Sequence, residues 1–148
     1  MKYLAQLNIA RLQKPIDHPQ IAEFKNNIDR INELAEKSRG FVWRLKDEYG
    51  SAVSIEAFDD PLIIVNMSVW ETVEDLRNYV FNSDHVDILR KRKDWFEKYE
   101  GNHLVMWWIE PNHIPTLDEA KERLEYLDKN GESEYAFTFK HFAKTVAK

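Results

Sequence analysis

The segment from Pro61 to Glu100, PLIIVNMSVWETVEDLRNYVFNSDHVDILRKRKDWFEKYE, limits what this chain can fold into more than any other. Its β-branched run loses side-chain freedom in a helix and fits a pleated sheet, so Leu62 to Trp70 reads as a strand. Alternate residues of a strand point to opposite faces. Ile63, Val65, Met67 and Val69 therefore share a dry face, while Asn66, Ser68 and Trp70 share a mixed one. A mixed face suits the wall of a ligand site better than a uniform core does. Thr72 and Asp75 then stand at capping-box spacing and open a helix with Val73, Leu76 and Val80 on its inner stripe.

The rest of the chain supplies partners for this strand and helix. Tyr3 to Leu12 alternates and predicts a first strand, with Gln6 and Asn8 on its less dry side. Asp17-His18-Pro19-Gln20 predicts a helix start, Ile21, Phe24, Ile28, Ile31 and Leu34 form one stripe, and Gly40 is its stop. Phe41, Trp43 and Leu45 alternate with Val42 and Arg44 as a second strand. Residues 46–61 stay open between a short strand on Val53, Ile55 and Ala57 and a packed loop. After a break at Asn82-Ser83, Val86, Leu89 and Phe96 continue a helical stripe that Gly101 ends. His103 to Glu110 is a fourth strand, apolar on both faces and hence buried on both.

This order is the βαββαβ arrangement of ferredoxin-like α+β domains. Right-handed crossovers place both helices on one side of the sheet. The other side is expected to carry Trp70 and one of Trp107 and Trp108. A face with rings of that size would not stay wet, so a second copy of the chain is its expected cover, giving a homodimer. Thr116 and Glu119 cap a further helix along Leu117, Ala120, Leu124 and Leu127, which Asn130-Gly131 closes. Tyr135 to Phe139 adds a short strand or an arm across the partner.

At 148 residues one domain, 1–148, is expected. A net charge of −5 argues against nucleic acid, whose phosphates need clustered Lys and Arg. No apolar run is long enough for a membrane span and the amino terminus lacks signal-peptide features, so a cytoplasmic, membrane-free protein is expected. The absence of cysteine removes disulfides and thiolate chemistry. Neither a Walker motif nor a glycine-rich dinucleotide turn is present, and no nucleophile motif supports a hydrolase.

The segments SVWETVEDLRNYVFNSDHVDILRKRKDWFE and LVMWWIEPNHIPTLDEAKERLEYLDKNGESEYAFTF resemble the DUF3291 family of the dimeric α+β barrel superfamily. Trp70, Ser83, His85, Trp95-Phe96, Trp107-Trp108, His113, Pro115 and Ala136 to Phe139 carry the resemblance, which spans nearly the whole chain. It implies a homodimer with a pocket between sheet and helices, and no known reaction. The superfamily also includes antibiotic-biosynthesis monooxygenases and small haem-degrading monooxygenases. In the latter an Asn of the first strand, a Trp near the third and a His of the next helix surround the substrate, and Asn8, Trp70 and His85 occupy similar places.

Each candidate residue has a functional and a structural reading. His85 is a general base or an axial haem ligand, or it braces a helix break. Asn8 and Asn66 orient a carbonyl, phenolate or dioxygen, or are satisfied polar groups of an interior. Trp70 and Trp108 stack on a planar substrate, or are core. Arg44 anchors a carboxylate or propionate through its forked donors, or forms a surface ion pair. His103 and His113 lack the spacing of a zinc motif, so no metal is expected. The basic run Arg90 to Lys93 covers a helical turn and reads as solvated surface.

Two functions fit. One is a cofactor-independent monooxygenase acting on an aromatic or polycyclic substrate, with His85, Asn8 and Trp70 as catalytic residues and Asn66, Arg44 and Trp108 against the ligand. The alternative is a non-catalytic binder or sensor of a small hydrophobic molecule, or a haem-binding protein using His85.

Overall fold

The computed structural model describes residues 1–46, 58–82, 91–98 and 102–141. Within them lie β1 (Tyr3–Arg11), α1 (Ala22–Lys37), β2 (Phe41–Arg44), β3 (Ile63–Trp70), α2 (Val73–Asn82), β4 (Leu104–Ile109) and α3 (Leu117–Asn130). The strands form one open antiparallel sheet in the order β2-β3-β1-β4. That is the ferredoxin-like topology expected from the sequence, an α+β fold. No helix among the described residues is long and apolar enough to cross a membrane. The segment left open at 46–61 lies mostly outside the described residues, as does the stretch containing Ser83, His85, Val86 and Leu89.

Local signals set most boundaries. The His18 ring accepts from the Gln20 backbone N–H at 3.0 Å and caps a short 3-10 turn over Pro19–Ile21, after which α1 begins. Thr72 Oγ1 accepts from Asp75 N at 3.0 Å at the start of α2. Thr116 Oγ1 does the same for Glu119 N at 3.1 Å, and Gly131 closes α3 with a positive φ. Gly40 also has positive φ, and its carbonyl accepts from Glu71 N at 2.7 Å where β2 meets the end of β3.

Four expectations are corrected. Trp70 does not lie on an uncovered side: it is fully buried with Leu4, Met106, Ala35, Leu76 and Phe137, beneath α1 and α2, and Trp108 packs against that group. The opposite side carries Ala5, Leu7, Ile9, Val65, Met67, Val69, Val105, Trp107 and Ile109, and the chain's own α3 covers it through Ala120, Leu124 and Leu127. Burying an aliphatic chain of this size contributes roughly 1.5–3 kcal/mol, so covering this surface is a large term, and one chain supplies it without a partner. In β2 a register shift between Phe41 and Trp43 inserts Val42, so Phe41 faces the helices while Trp43 faces α3. Finally, the helical stripe does not run on to Phe96. Arg92–Asp94 is a short 3-10 turn, and Phe96 forms a β-bridge with Leu12.

After α3 the chain returns across the outer edge of β4. Phe137 exchanges two backbone hydrogen bonds with Met106, at 2.7 and 3.0 Å, and thereby pairs with its own sheet. Glu132 fixes this return by accepting from Thr138 N at 2.8 Å.

The buried Trp107 indole is tied to the start of α3. Its Nε1 donates to Glu119 at 2.7 Å, and His113 Nε2 lies 2.7 Å from the other carboxylate oxygen. Burial alone pushes the Glu119 carboxyl up, but the bonds from His113 and Trp107 outweigh it and hold the carboxyl below its ordinary value of 4.5. A carboxyl with a lowered folded-state pKa stabilises the fold above its unfolded value and loses that contribution as pH falls through the folded one. Glu119→Gln is thus expected to flatten part of the loss of stability below about pH 4.5. Urea midpoints of both proteins between pH 3 and 6 check this, and parallel curves would contradict it.

Candidate functional site

Strand register builds a polar patch in the middle of the helix-facing side. Leu4 lies between Trp70 and Trp108, Gln6 between Ser68 and Met106, and Asn8 between Asn66 and Leu104. Arg44 pairs with Ser68 from the far edge, so its side chain emerges on the same side. The patch is Arg44, Ser68 and Gln6 in one row and Asn66 and Asn8 in the next. An apolar cluster flanks each end: Trp70, Leu4, Phe41 and Tyr79 on one, and Leu12, Ile64, Ile21, Phe24 and Trp95 on the other.

The patch is open to water at its middle. Asn8 and Asn66 are exposed although both stand on the side that α1 and α2 cover. Ile28 and Ile31 of α1 are only half-buried, and Ala35 is the one buried residue of that helix. An amphipathic helix seated flat would bury its whole stripe. This one packs through Ala35 at its carboxyl end and through Phe24 at its amino end, and leaves Ile28 and Ile31 between them half-buried.

Hydrogen bonds order the deeper row. Gln6 Nε2 donates to Asn66 Oδ1 at 2.8 Å and to Ser68 Oγ at 2.7 Å, while Trp70 Nε1 donates to the same Ser68 oxygen at 2.8 Å. Both amide hydrogens of Gln6 are used, and its Oε1 meets no partner among the described residues. Both acceptor positions of Ser68 are filled too.

Arg44 forms a loose ion pair with the exposed Glu36, yet is itself largely withdrawn from water. Its side chain is 11% exposed, its nearest carboxylate among the described residues is Glu36 at 3.7 Å, and its Nε is buried without a hydrogen-bond partner. Tyr79 lies close enough to feel this charge. Burial pushes the phenol well above its usual range, and the Arg44 guanidinium offsets only part of the rise. The ring stacks on Trp70 with centroids 5.1 Å apart, and Phe41 meets Trp70 edge-on at 5.6 Å.

Asn8, Asn66, Arg44, Trp70 and Trp108, chosen as candidates from the sequence, thus share one side of the sheet. They are not all within reach of one atom. Four residues of strand separate the Asn8 row from the Trp70 row, about 13 Å. His85 lies outside the described residues. His113 is committed to Glu119 at the far end of β4. His103 is held below the ordinary histidine value, first by burial and then by Arg92 and Lys140. No group of three metal-ligating side chains occurs among the described residues. The sequence reading passed over Gln6, Ser68 and Tyr79 as site residues. The two-residue spacing of Gln6 from Asn8 and of Ser68 from Asn66 was the available signal.

A family model described as "Domain of unknown function (DUF3291)" matches residues 3–148. No curated protein matches the sequence. Among solved structures, PA3566 from Pseudomonas aeruginosa is similar with a TM-score of 0.50 and 8% identity, covering 74% of this chain and 94% of that one. A conserved protein from Methanosarcina mazei Go1 gives 0.48 and 15% identity, with 74% and 93% covered. SnoaB from Streptomyces nogalater, a cofactor-independent oxygenase, gives 0.47 and 15%, with 80% and 100% covered. At such identities the first of these likenesses supports the fold and nothing finer.

Proposed function

Because the chain belongs to the DUF3291 family, whose description assigns no reaction, we propose its function from the patch itself: it binds a flat hydrophobic molecule between the sheet and α1 and oxidises it without a bound cofactor. The carrying observation is an exposed Asn8–Asn66 pair on an otherwise covered side, backed by the ordered Gln6–Ser68 row. A site with apolar ends and a few placed polar groups has the form of a small-molecule pocket. The spacing of about 13 Å between the Asn8 and Trp70 rows suits opposite ends of a polycyclic molecule.

In this reading Asn8 and Asn66 orient the substrate and dioxygen by their amide donors, and Trp70 with Trp108 walls the apolar end. The described part of the patch offers amides, a hydroxyl, a guanidinium and a phenol whose pKa is raised, none of which takes a proton at neutral pH. Glu36 stands at the rim beside Arg44. The base is therefore assigned to His85. The substrate carbanion passes one electron to dioxygen, recombination gives a hydroperoxide, and loss of water leaves a carbonyl. One oxygen atom enters the product and the other leaves as water.

The assay is oxygen uptake with quinol- and flavonoid-type substrates. His85→Ala is expected to lower the rate by about 10²-fold or more, the scale of a general base. Turnover unchanged by that substitution would remove His85 from the mechanism. A non-catalytic binder is the second reading, and the close packing of Trp70 against Tyr79 and Phe41 favours it. Binding without oxygen uptake is its signature. We further propose that two copies pair; light scattering at twice 17.7 kDa is the check, and a mass of 17.7 kDa would contradict it.

A further inference from the structure

We propose that the Ser68 hydroxyl and the Arg44 guanidinium together form an oxyanion-recognition point, so that the ligand of this patch carries a carboxylate on its aromatic body. The inference rests on the pocket reading above and adds the chemical class of the ligand.

The first observation concerns proton bookkeeping at Ser68. A hydroxyl has one hydrogen to donate and two acceptor positions. Gln6 Nε2 and Trp70 Nε1 fill both acceptor positions, at 2.7 and 2.8 Å. The indole N–H can only donate, and in this orientation of the Gln6 amide its NH2 donates as well. In this arrangement Ser68 is left as a donor, and no acceptor for its hydrogen is found among the described residues. The group that completes the site is an oxygen acceptor.

The second observation is independent and concerns charge. Arg44 stands directly opposite Ser68 across the β2–β3 pair, on the same side of the sheet. Its guanidinium is largely withdrawn from water, meets Glu36 only at 3.7 Å, and buries an Nε–H with no acceptor. A withdrawn cation with unused donors is costly unless an anion meets it. Donor and cation therefore ask for one and the same thing, an anionic oxygen between them. Among the patch residues Arg44 is the single cation, and Glu36 already offsets part of it. That balance fits a monoanion and opposes a phosphate dianion. The planar fork of arginine matches a carboxylate. The half-buried Phe41 and Tyr79 of the adjoining cluster supply the apolar surface for its ring.

A matched pair of probes tests this by calorimetry: 2-naphthoate and 2-naphthalenemethanol, which share a ring system and differ in the charged group. The wild-type protein is expected to bind the acid about tenfold or more tightly than the alcohol. Arg44→Met is expected to bring that ratio to about one, and Arg44→Lys, which keeps the charge and loses the fork, to an intermediate value. Equal binding of the two probes by the wild type, or a preference that survives in Arg44→Met, overturns the proposal and leaves the pocket standing. Failure of both probes to bind removes the pocket and this inference with it. Should Arg44→Met not fold, the wild-type ratio and the Arg44→Lys ratio still decide.

Discussion

Trp70→Ala is expected to lower the unfolding free energy by about 3–5 kcal/mol, the range for deleting a buried aromatic side chain. The indole is fully buried, stacked on Tyr79, edged by Phe41 and bonded to Ser68, so the void it leaves has walls fixed from several elements. Trp70→Phe keeps most of the volume but removes the Nε1 donor. Its expected cost is about 1–2 kcal/mol, because Ser68 then loses one of the two bonds that orient it. Urea unfolding of both variants checks the pair. A loss under about 1 kcal/mol for the alanine variant would mean that the ring faces a ligand space rather than the core. The distinction bears on function, because a pinned indole can wall a pocket but cannot swing to clasp a substrate.

Gly40→Ala is expected to cost at least about 2 kcal/mol, from two separate sources. One is the left-handed backbone at φ +84°, which an L-residue adopts only at a penalty. The other is space, since an added Cβ would lie 2.1 Å from Asp75 Oδ2 and 2.5 Å from its Cβ. Asp75 belongs to the first turn of α2, where its backbone N–H is bonded to Thr72 Oγ1, so the helix start would have to move. Gly131→Ala is the control. Gly131 has φ +78°, but an added Cβ there meets nothing within 4 Å. The backbone cost alone applies, and the gap between the two midpoints in urea reads the Asp75 overlap. Equal losses for both would show that α2 yields freely.

The topology was legible because its signals are local. Capping residues at Thr72 and Thr116, alternation along β1 and β3 and the apolar run of β4 each depend on near neighbours in the chain. Which side of the sheet faces which helix is not local. The stripe of α3 announces burial without saying upon what, and the ring at 70 is accordingly expected on the wrong side, whereas one of the pair at 107 and 108, Trp107, does lie opposite the helices α1 and α2. The inserted Val42 was hidden for a related reason, since an unbroken alternation was read across a strand whose partner dictates a bulge.

The site divides in the same way. Period two suffices to put Asn66 and Trp70 on one side of β3, and Asn8 joins them through the β1–β3 register. Serine at 68 looks ordinary in the sequence. Its donor role depends on Gln6, 62 positions away, and on the indole two residues on. Arg44 changes character likewise, because nothing in FVWR says that its guanidinium will be shut in with Glu36 at 3.7 Å and an Nε that meets no acceptor.

Because α3 lies across Leu7, Met67 and Val105, each polypeptide shields its own greasiest surface before it meets another. Self-association and the acquisition of native shape are thereby decoupled.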